Sequence, residues 1–307
     1  MVKLRLNKWA AALLVLVGAS SYGFLSPVIK LAYQSGFSDA QVTASQIIWG
    51  TILTWGILLF RPKDWTNPFR GPWLRLAFIG IFGLAMTTVV LNFALHYLPV
   101  SFSVVLLFQF TWITLVIESV IARKMPRPKQ IGSVAVILAG TFLAVNMTAA
   151  DLHNVQPVGI LLGLASAVTY SAFIMMTGRL NTKMAPVMRS AVMLTAALPI
   201  AAFLAPVQSL VRPGMWPLML WGILAGILGQ VIPTICYNVG IPVIGGSLSA
   251  VLGSIELPVA VLASSLIVGE KVHAWQWFGI ILIVAGIALA ELKTGKKVIR
   301  NMQEESR

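Results

Sequence analysis

Glu256 is the residue whose chemical type and position are best suited to a functional role. It lies near the middle of a long apolar stretch, 246–268, on one helical stripe with Ser249 and Gly253. If that stretch crosses a membrane, a carboxylate at its centre costs roughly 2.5–3.5 kcal/mol on insertion scales, so neighbouring helices must compensate for it. Such a carboxylate can bind a ligand, and it can also take up and release protons. It can also be a neutral or hydrogen-bonded residue that fixes helix packing, and the sequence leaves both roles open.

Pro258 follows Glu256 by two residues. A proline inside a helix removes the hydrogen bond to the carbonyl four residues earlier. The carbonyl of Ser254 is therefore predicted to lack its usual amide partner. A carboxylate, a free carbonyl and small neighbouring residues together suit a site between helices.

Six further side chains in apolar stretches are candidate substrate contacts. Each alone is more typical of an interhelical hydrogen bond, which contributes about 0.6 kcal/mol. As a set they predict a cavity of mixed polar and aromatic character, which suits zwitterionic or amphipathic solutes better than inorganic ions. The six residues are Tyr22, Asn92, Gln109, Trp112, Tyr170 and Gln230. A second carboxylate, Glu118, is instead predicted to pair with Arg123 and Lys124, which follow it.

The sequence shows no sign of catalytic machinery. It contains no Walker loop, nucleophile elbow or HExxH motif, and Cys236 is the single cysteine. We therefore predict no catalytic residue, metal site, cofactor or nucleotide. The alternative is a polytopic enzyme that acts on lipid-linked substrates at the outer interface. A receptor or scaffold is a third hypothesis. The enzyme would need the scattered residues Asp39, Asp151, Glu270, His96, His153 and His273.

The composition predicts an all-α polytopic membrane protein. Hydrophobic residues make up 58% of the 307 positions and charged residues only 10%, against about a quarter charged in a soluble domain. A bilayer-spanning helix needs about 20 mostly apolar residues, and ten such stretches are present. They lie at about 9–31, 40–60, 73–95, 101–122, 130–146, 157–178, 187–205, 216–238, 246–268 and 275–292.

The basic residues predict the orientation of these helices. With a cytoplasmic N-terminus, all of the 22 basic residues except Lys30, Arg212 and Lys271 fall on the inner side, Arg189 among them. This asymmetry is typical of an even number of spans with both termini in the cytoplasm. We therefore predict a multi-pass protein of the cell (inner) membrane. The net charge of +13 then reflects topology and contact with membrane lipid, and we predict no nucleic-acid partner.

Internal similarity predicts two copies of a five-helix unit. Tyr22 and Tyr170 occupy comparable positions in the first and sixth stretches. A unit with an odd number of crossings must be followed by an inverted copy, a common plan among secondary transporters. The predicted boundaries are 1–147 for the first repeat, 148–156 for an outer linker, 157–292 for the second, inverted repeat and 293–307 for a basic cytoplasmic tail.

The second half of the chain contains three short motifs: Glu256-Leu257-Pro258-Val259, Gly269-Glu270-Lys271 and the run from Trp277 to Gly286. Together they resemble the second-repeat signature of the EamA-type family of the drug/metabolite transporter superfamily. In the first stretch, Tyr22-Gly23 followed by Lys30 resembles the family's Trp-Gly…Lys pattern. The chain departs from the family in having Gln46 where an arginine is expected, and Arg123-Lys124 where the second repeat has Glu270-Lys271.

The resemblance implies a secondary transporter that exports small organic solutes, such as amino acids, metabolites or amphipathic toxicants, by alternating access. It leaves open the substrate, proton coupling and the oligomeric state.

Overall fold

The structure is a computed structural model that describes residues 7–95, 97–98, 100–145, 156–206, 210, 216–269 and 271–291. Within these ranges the chain is helical and contains no strand. It forms ten apolar helical segments, and eight of them are long and apolar enough to cross a membrane, while α5 and α10 are shorter. The ten segments are α1 (Lys8–Gln34), α2 (Asp39–Leu59), α3 (Trp73–Leu95), α4 (Val100–Ala122), α5 (Pro128–Ala144), α6 (Pro157–Gly178), α7 (Pro186–Leu204), α8 (Trp216–Ile244), α9 (Gly246–Val268) and α10 (Ala274–Glu291).

The predicted all-α fold with ten spans is confirmed, and most helix ends agree within three residues. The largest difference is α8, which was predicted to end at 238 and continues to Ile244. Four of the ten spans are not continuous α-helices. Stretches of π-helix interrupt α3 at Ile79–Ala85 and α8 at Ile227–Val231, whereas α4 and α9 each break into two helices.

The breaks in α4 and α9 are closely matched. In α4, a helix of 8 residues (Val100–Leu107) precedes one of 13 (Phe110–Ala122). In α9, a helix of 8 residues (Gly246–Gly253) precedes one of 13 (Glu256–Val268). The π-helical stretches likewise lie in the third helix of each five-helix unit. The interruptions therefore recur at equivalent places in the two repeats.

The two repeats pack into each other rather than side by side. The first helix of each repeat contacts the third and fourth helices of the other: α1 packs on α8 and α9, and α6 packs on α3 and α4. The second helices contact each other, and so do the fifth helices, α5 and α10. This reciprocal packing gives one bundle of two five-helix repeats. The exact boundaries of the repeats, the linker and the tail stay predictions, and most of the linker and all of the tail lie outside the described residues.

Glycines permit the closest helix contacts. A Cβ atom at Gly140 of α5 would lie 2.7 Å from the carbonyl oxygen of Gly279 of α10, so the two backbones touch there. Gly159 and Gly163 of α6 instead make room for side chains: Leu98 lies against Gly159 and Leu106 against Gly163. Small residues are what allow this approach in a bilayer, where packing rather than water exclusion holds helices together.

Glu118 does not form the predicted pair with Arg123 and Lys124. Its Oε2 instead accepts a hydrogen bond of 2.8 Å from the backbone N–H of Ser247, in the first turn of α9. The first N–H groups of a helix have no partner within it, and a carboxylate is favourable at that end. Glu118 therefore links the end of α4 to the start of α9.

Candidate functional site

Five aromatic rings from four helices meet in the interior of the bundle. Tyr22 of α1 lies 6.1 Å from Tyr237 of α8, measured between ring centroids. Phe173 of α6 lies 6.2 Å from Tyr237, and Phe110 of α4 meets Tyr170 of α6 edge to face at 4.7 Å. We call these five residues the aromatic cluster. Four of its rings are buried, with at most 8% of their surface exposed, while Tyr22 keeps part of its surface accessible.

The aromatic cluster bridges the two repeats. Tyr22 and Phe110 belong to the first repeat, whereas Tyr170, Phe173 and Tyr237 belong to the second. The hydroxyls of Tyr170 and Tyr237 lie 3.4 Å apart and form a hydrogen bond between α6 and α8. Edge-to-face and tilted ring pairs at these distances are favourable contacts. The cluster is therefore a continuous aromatic wall along the interface of the repeats.

Glu256 of α9 adds a carboxylate to this wall. A Cβ atom at Gly253, three residues before Glu256, would lie 3.6 Å from Cζ of Phe110 and 4.0 Å from the hydroxyl oxygen of Tyr237. A Cβ atom at Gly23, next to Tyr22, would lie 2.7 Å from the carbonyl oxygen of Glu256. The start of the second helix of α9 therefore packs on the aromatic cluster, within range of electrostatic interaction between the carboxylate and the three tyrosines. Among the described residues, the carboxylate forms neither a hydrogen bond nor an ion pair. Its side chain is only partly buried. A polar group within the bundle is thus accessible to a ligand and is not already satisfied by the protein.

The break in α9 sets the position of this carboxylate. Glu256 is the first residue of the helix that restarts after Ser254 and Ile255. A carboxylate is favoured in the first turn of a helix because the N–H groups there point outward. Pro258, two residues on, fits the same turn, where its missing N–H costs little. The Ser254 carbonyl was predicted to lack a partner, but it accepts a long hydrogen bond of 3.4 Å from the N–H of Leu257.

Three of the seven predicted substrate contacts meet at this site: Glu256, Tyr22 and Tyr170. Gln109 and Trp112 of α4 instead bind each other. The indole N–H of Trp112 donates to Gln109 Oε1 over 2.8 Å, and Gln109 Nε2 donates to the carbonyl of Val105 over 2.9 Å. The Trp112 side chain is 40% exposed. Both side chains thus find hydrogen-bond partners within α4, next to its break.

Gln230, a further predicted contact, lies apart from the aromatic cluster. Gln230 is buried in the π-helical stretch of α8 and packs against Gly50 of α2. It precedes Tyr237 by seven residues, about 10 Å along a helix axis. The side chain of Asn92 lies outside the described residues.

Phe110, Phe173 and Tyr237 were missed by the sequence reasoning. Phenylalanines in apolar helices are usually packing or lipid-facing residues, so nothing in their spacing marked them. Tyr237 lies next to the end of the predicted span 216–238, where aromatic residues are typical of the membrane interface. In the structure α8 continues to Ile244, seven residues beyond Tyr237. Only the length of the apolar run could have placed Tyr237 inside the bundle.

Arg189 lies at the start of the predicted span 187–205, on the side predicted to be the inner one. It occupies the first turn of α7 and is 7% exposed. Its guanidinium donates a hydrogen bond of 2.6 Å to the carbonyl of Asn238, and its Nε is buried without a partner among the described residues. Asn238 follows Tyr237, so Arg189 packs on the backbone behind the aromatic wall.

Comparison with known proteins identifies the family. Two stretches of the chain, residues 9–146 and 157–292, each match the model of the EamA-like transporter family. The chain belongs to this family. The double match agrees with the two five-helix repeats of the structure.

Similarity of this EamA-like protein to known proteins extends along nearly all of its length. It is 23% identical over 300 residues to a protein of Bacillus subtilis (strain 168) named as the uncharacterized transporter YcbK, a match that covers 94% of this chain and 96% of YcbK. A crystal structure shares its fold with a TM-score of 0.73 at 19% identity, covering 92% of this chain and 98% of the other. The EamA-like chain is thus a multi-pass membrane transporter, and the family points to transport rather than enzymatic chemistry.

Proposed function

We propose that this EamA-like protein is a secondary transporter that moves small organic solutes across the cell membrane by alternating access. The solute binds beside Glu256 and the aromatic cluster. The observation that carries this proposal is the position of the Glu256 carboxylate, which lies at the interface of the two repeats and has no protein partner among the described residues. Export rather than import follows the family resemblance.

The location of the site supports alternating access. Its side chains come from α1, α4, α6, α8 and α9, so they belong to both repeats. Transporters with inverted repeats bind substrate near the bilayer midplane, often beside interrupted helices, and expose it to either side as one repeat moves against the other. The breaks of α4 and α9 lie directly before Phe110 and Glu256. A change in the packing of the repeats would therefore alter the site itself.

We further propose that Glu256 couples transport to protons. A carboxylate without a protein partner can be neutralised by a proton or by a ligand, and the two then compete for the same oxygens. Ionisable groups inside membranes commonly serve as such relays. The antiport of a proton against the solute would follow.

Transport in reconstituted vesicles tests the proposal. The purified protein should move a solute from a panel of amino acids, amines and amphipathic compounds, without any nucleotide. A pH gradient should change the rate. Strict dependence on ATP would contradict a secondary transporter.

Glu256→Gln is the decisive variant, because it keeps the size and hydrogen-bonding capacity of the side chain but cannot titrate. We expect it to insert normally and to lose the pH dependence of transport. Glu118→Gln is the matched control, since its amide oxygen can still accept the hydrogen bond from Ser247. Unchanged transport and pH profile in Glu256→Gln would make Glu256 a packing residue, as would failure of this variant to accumulate in the membrane.

The orientation completes the proposal: the protein is a multi-pass protein of the cell membrane with both termini in the cytoplasm. The distribution of basic residues supports it.

A further inference from the structure

The site beside Glu256 has an uneven charge. It contains one carboxylate, three tyrosine hydroxyls and two phenylalanine rings, and no described basic side chain pairs with the carboxylate. We propose that the solute bound there is a monovalent organic cation, an ammonium compound with carbon substituents on the nitrogen. This inference rests on the proposed transport function and specifies its substrate class.

The carboxylate argues against anionic solutes. A ligand carboxylate or sulfonate would face Glu256 at close range in a medium of low dielectric constant, where like charges repel strongly. The carboxylate of a zwitterion such as an amino acid would meet the same repulsion from Glu256, which a basic side chain could offset. Arg189 cannot supply one at the aromatic cluster, because its guanidinium is bonded to the Asn238 carbonyl and its Nε is buried. Lys30 is on α1 but exposed, eight residues from Tyr22, which is about 12 Å along the helix.

The rings argue for a cation that carries carbon groups. The face of an aromatic ring is negative, and it attracts an ammonium group within about 6 Å of the ring centroid. Recognition of quaternary ammonium ligands by several surrounding rings is a known use of this interaction. In the aromatic cluster, Tyr22, Tyr237 and Phe173 follow one another at centroid distances of 6.1 and 6.2 Å. Tyr237 and Phe173 are buried, so Tyr22, which keeps part of its surface accessible, is the ring of this row that a cation beside Glu256 contacts first, and the other two rings lie behind it.

An inorganic divalent cation fits the same region poorly. Calcium takes six to eight oxygen ligands, and magnesium requires an octahedral shell. Glu256 and the three tyrosines offer two carboxylate oxygens and three hydroxyls, and two of those hydroxyls, on Tyr170 and Tyr237, are bonded to each other. Phe110 and Phe173 contribute no oxygen at all. The side chains of Glu256 and the aromatic cluster therefore suit a weakly hydrated organic cation.

The test compares three aromatic probes that differ in charge. Benzyltrimethylammonium is a permanent cation, benzenesulfonate is an anion and phenylalanine is a zwitterion. Their binding to the full-length protein in lipid nanodiscs is measured by titration calorimetry. We expect benzyltrimethylammonium to bind at least tenfold more tightly than either of the other two. Because its charge does not depend on pH, the comparison is free of ligand titration.

Variants then assign the binding to this site. Glu256→Gln should weaken binding of benzyltrimethylammonium at least tenfold. Tyr22→Leu, which removes a ring, should weaken it severalfold, whereas Tyr22→Phe, which keeps the ring, should weaken it less. The controls are Glu118→Gln and Tyr33→Leu. Tyr33 is on α1 with 37% of its surface exposed, about 16 Å along the helix from Tyr22, and both controls should stay within twofold of the native affinity.

The outcomes separate this inference from the proposed function. Tighter binding of benzenesulfonate or phenylalanine, no binding of the cation, or unchanged cation binding by Glu256→Gln would each overturn the cation proposal. If vesicles still transport another solute in a Glu256-dependent manner, the transporter proposal stands and only the substrate class is wrong. If the native protein moves no solute of the vesicle panel, the transporter proposal falls as well.

Discussion

The substitution Gly23→Ala tests whether the backbone of α1 packs directly on that of Glu256. Gly23 follows Tyr22 and faces α9. A Cβ atom at Gly23 would lie 2.7 Å from the carbonyl oxygen of Glu256 and 2.7 Å from Cβ of Val259. Ordinary contacts of a Cβ atom begin near 3.4 Å. Since both neighbouring atoms are fixed to the backbone of α9, the two helices must separate by several tenths of an ångström.

The expected cost follows from two opposing effects. Overpacking of an interior contact costs about 1–3 kcal/mol. Replacing glycine by alanine inside a helix contributes up to about 1 kcal/mol of stability through helix propensity. The net effect of Gly23→Ala should be a loss of about 1–2 kcal/mol in the free energy of unfolding. Gly56→Ala on α2 is the matched control, because no heavy atom lies within 4 Å of its Cβ position, and it should be as stable as the native protein or more stable.

Unfolding titrations in mixed micelles of a mild and a denaturing detergent measure both free energies. The two variants carry the same chemical change, so their difference isolates the contact with α9. We also expect Gly23→Ala to bind solute more weakly, because the displaced backbone is that of Glu256. Equal free energies of unfolding for the two variants would refute the close contact between α1 and α9.

Two further predictions concern topology and the link between α4 and α9. Reporter fusions placed after Leu292 and within 206–215 should report opposite sides of the membrane; reporters on the same side would contradict the cytoplasmic location of both termini. Glu118→Ala should lose about 1 kcal/mol of stability, typical of a lost helix cap, because the N–H of Ser247 loses its acceptor. Glu118→Gln should lose less in the same unfolding titration, and equal losses would exclude the cap as the cause.

The ten spans could be predicted because a single physical quantity controls them. The thickness of the hydrocarbon layer fixes the length of an apolar run, so helix existence follows from composition alone. The interruptions of these helices depend on packing between segments instead. In the π-helical stretch of α3, a Cβ atom at Gly80 would meet the backbone of Met193 in α7. That contact involves residues far apart in sequence, and no local pattern in α3 reports it.

Sequence alone could point to the candidate site only through residues that are costly in a membrane. Glu256, Tyr22 and Tyr170 were identified because polar groups are rare in apolar helices and need a reason to be there. Gln109 and Trp112 met the same criterion, but each satisfies the other within one turn of α4. Sequence alone cannot distinguish a polar group that binds its neighbour from one that is left for a ligand. Phe110 and Phe173 carry no such cost, so their role depends entirely on the fold.

Phe110 and Glu256 occupy equivalent positions in the two repeats but differ in charge. Each is the first residue after the break in the fourth helix of its repeat, and the helices on either side of the two breaks have the same lengths, 8 and 13 residues. The two repeats therefore bring equivalent backbone positions to one site but place a charge on only one of them. When inverted repeats exchange conformations, such equivalent positions exchange surroundings. A single carboxylate at one of them would then meet a different environment in each state, and a group whose affinity for a proton or a cation differs between states is what coupled transport requires.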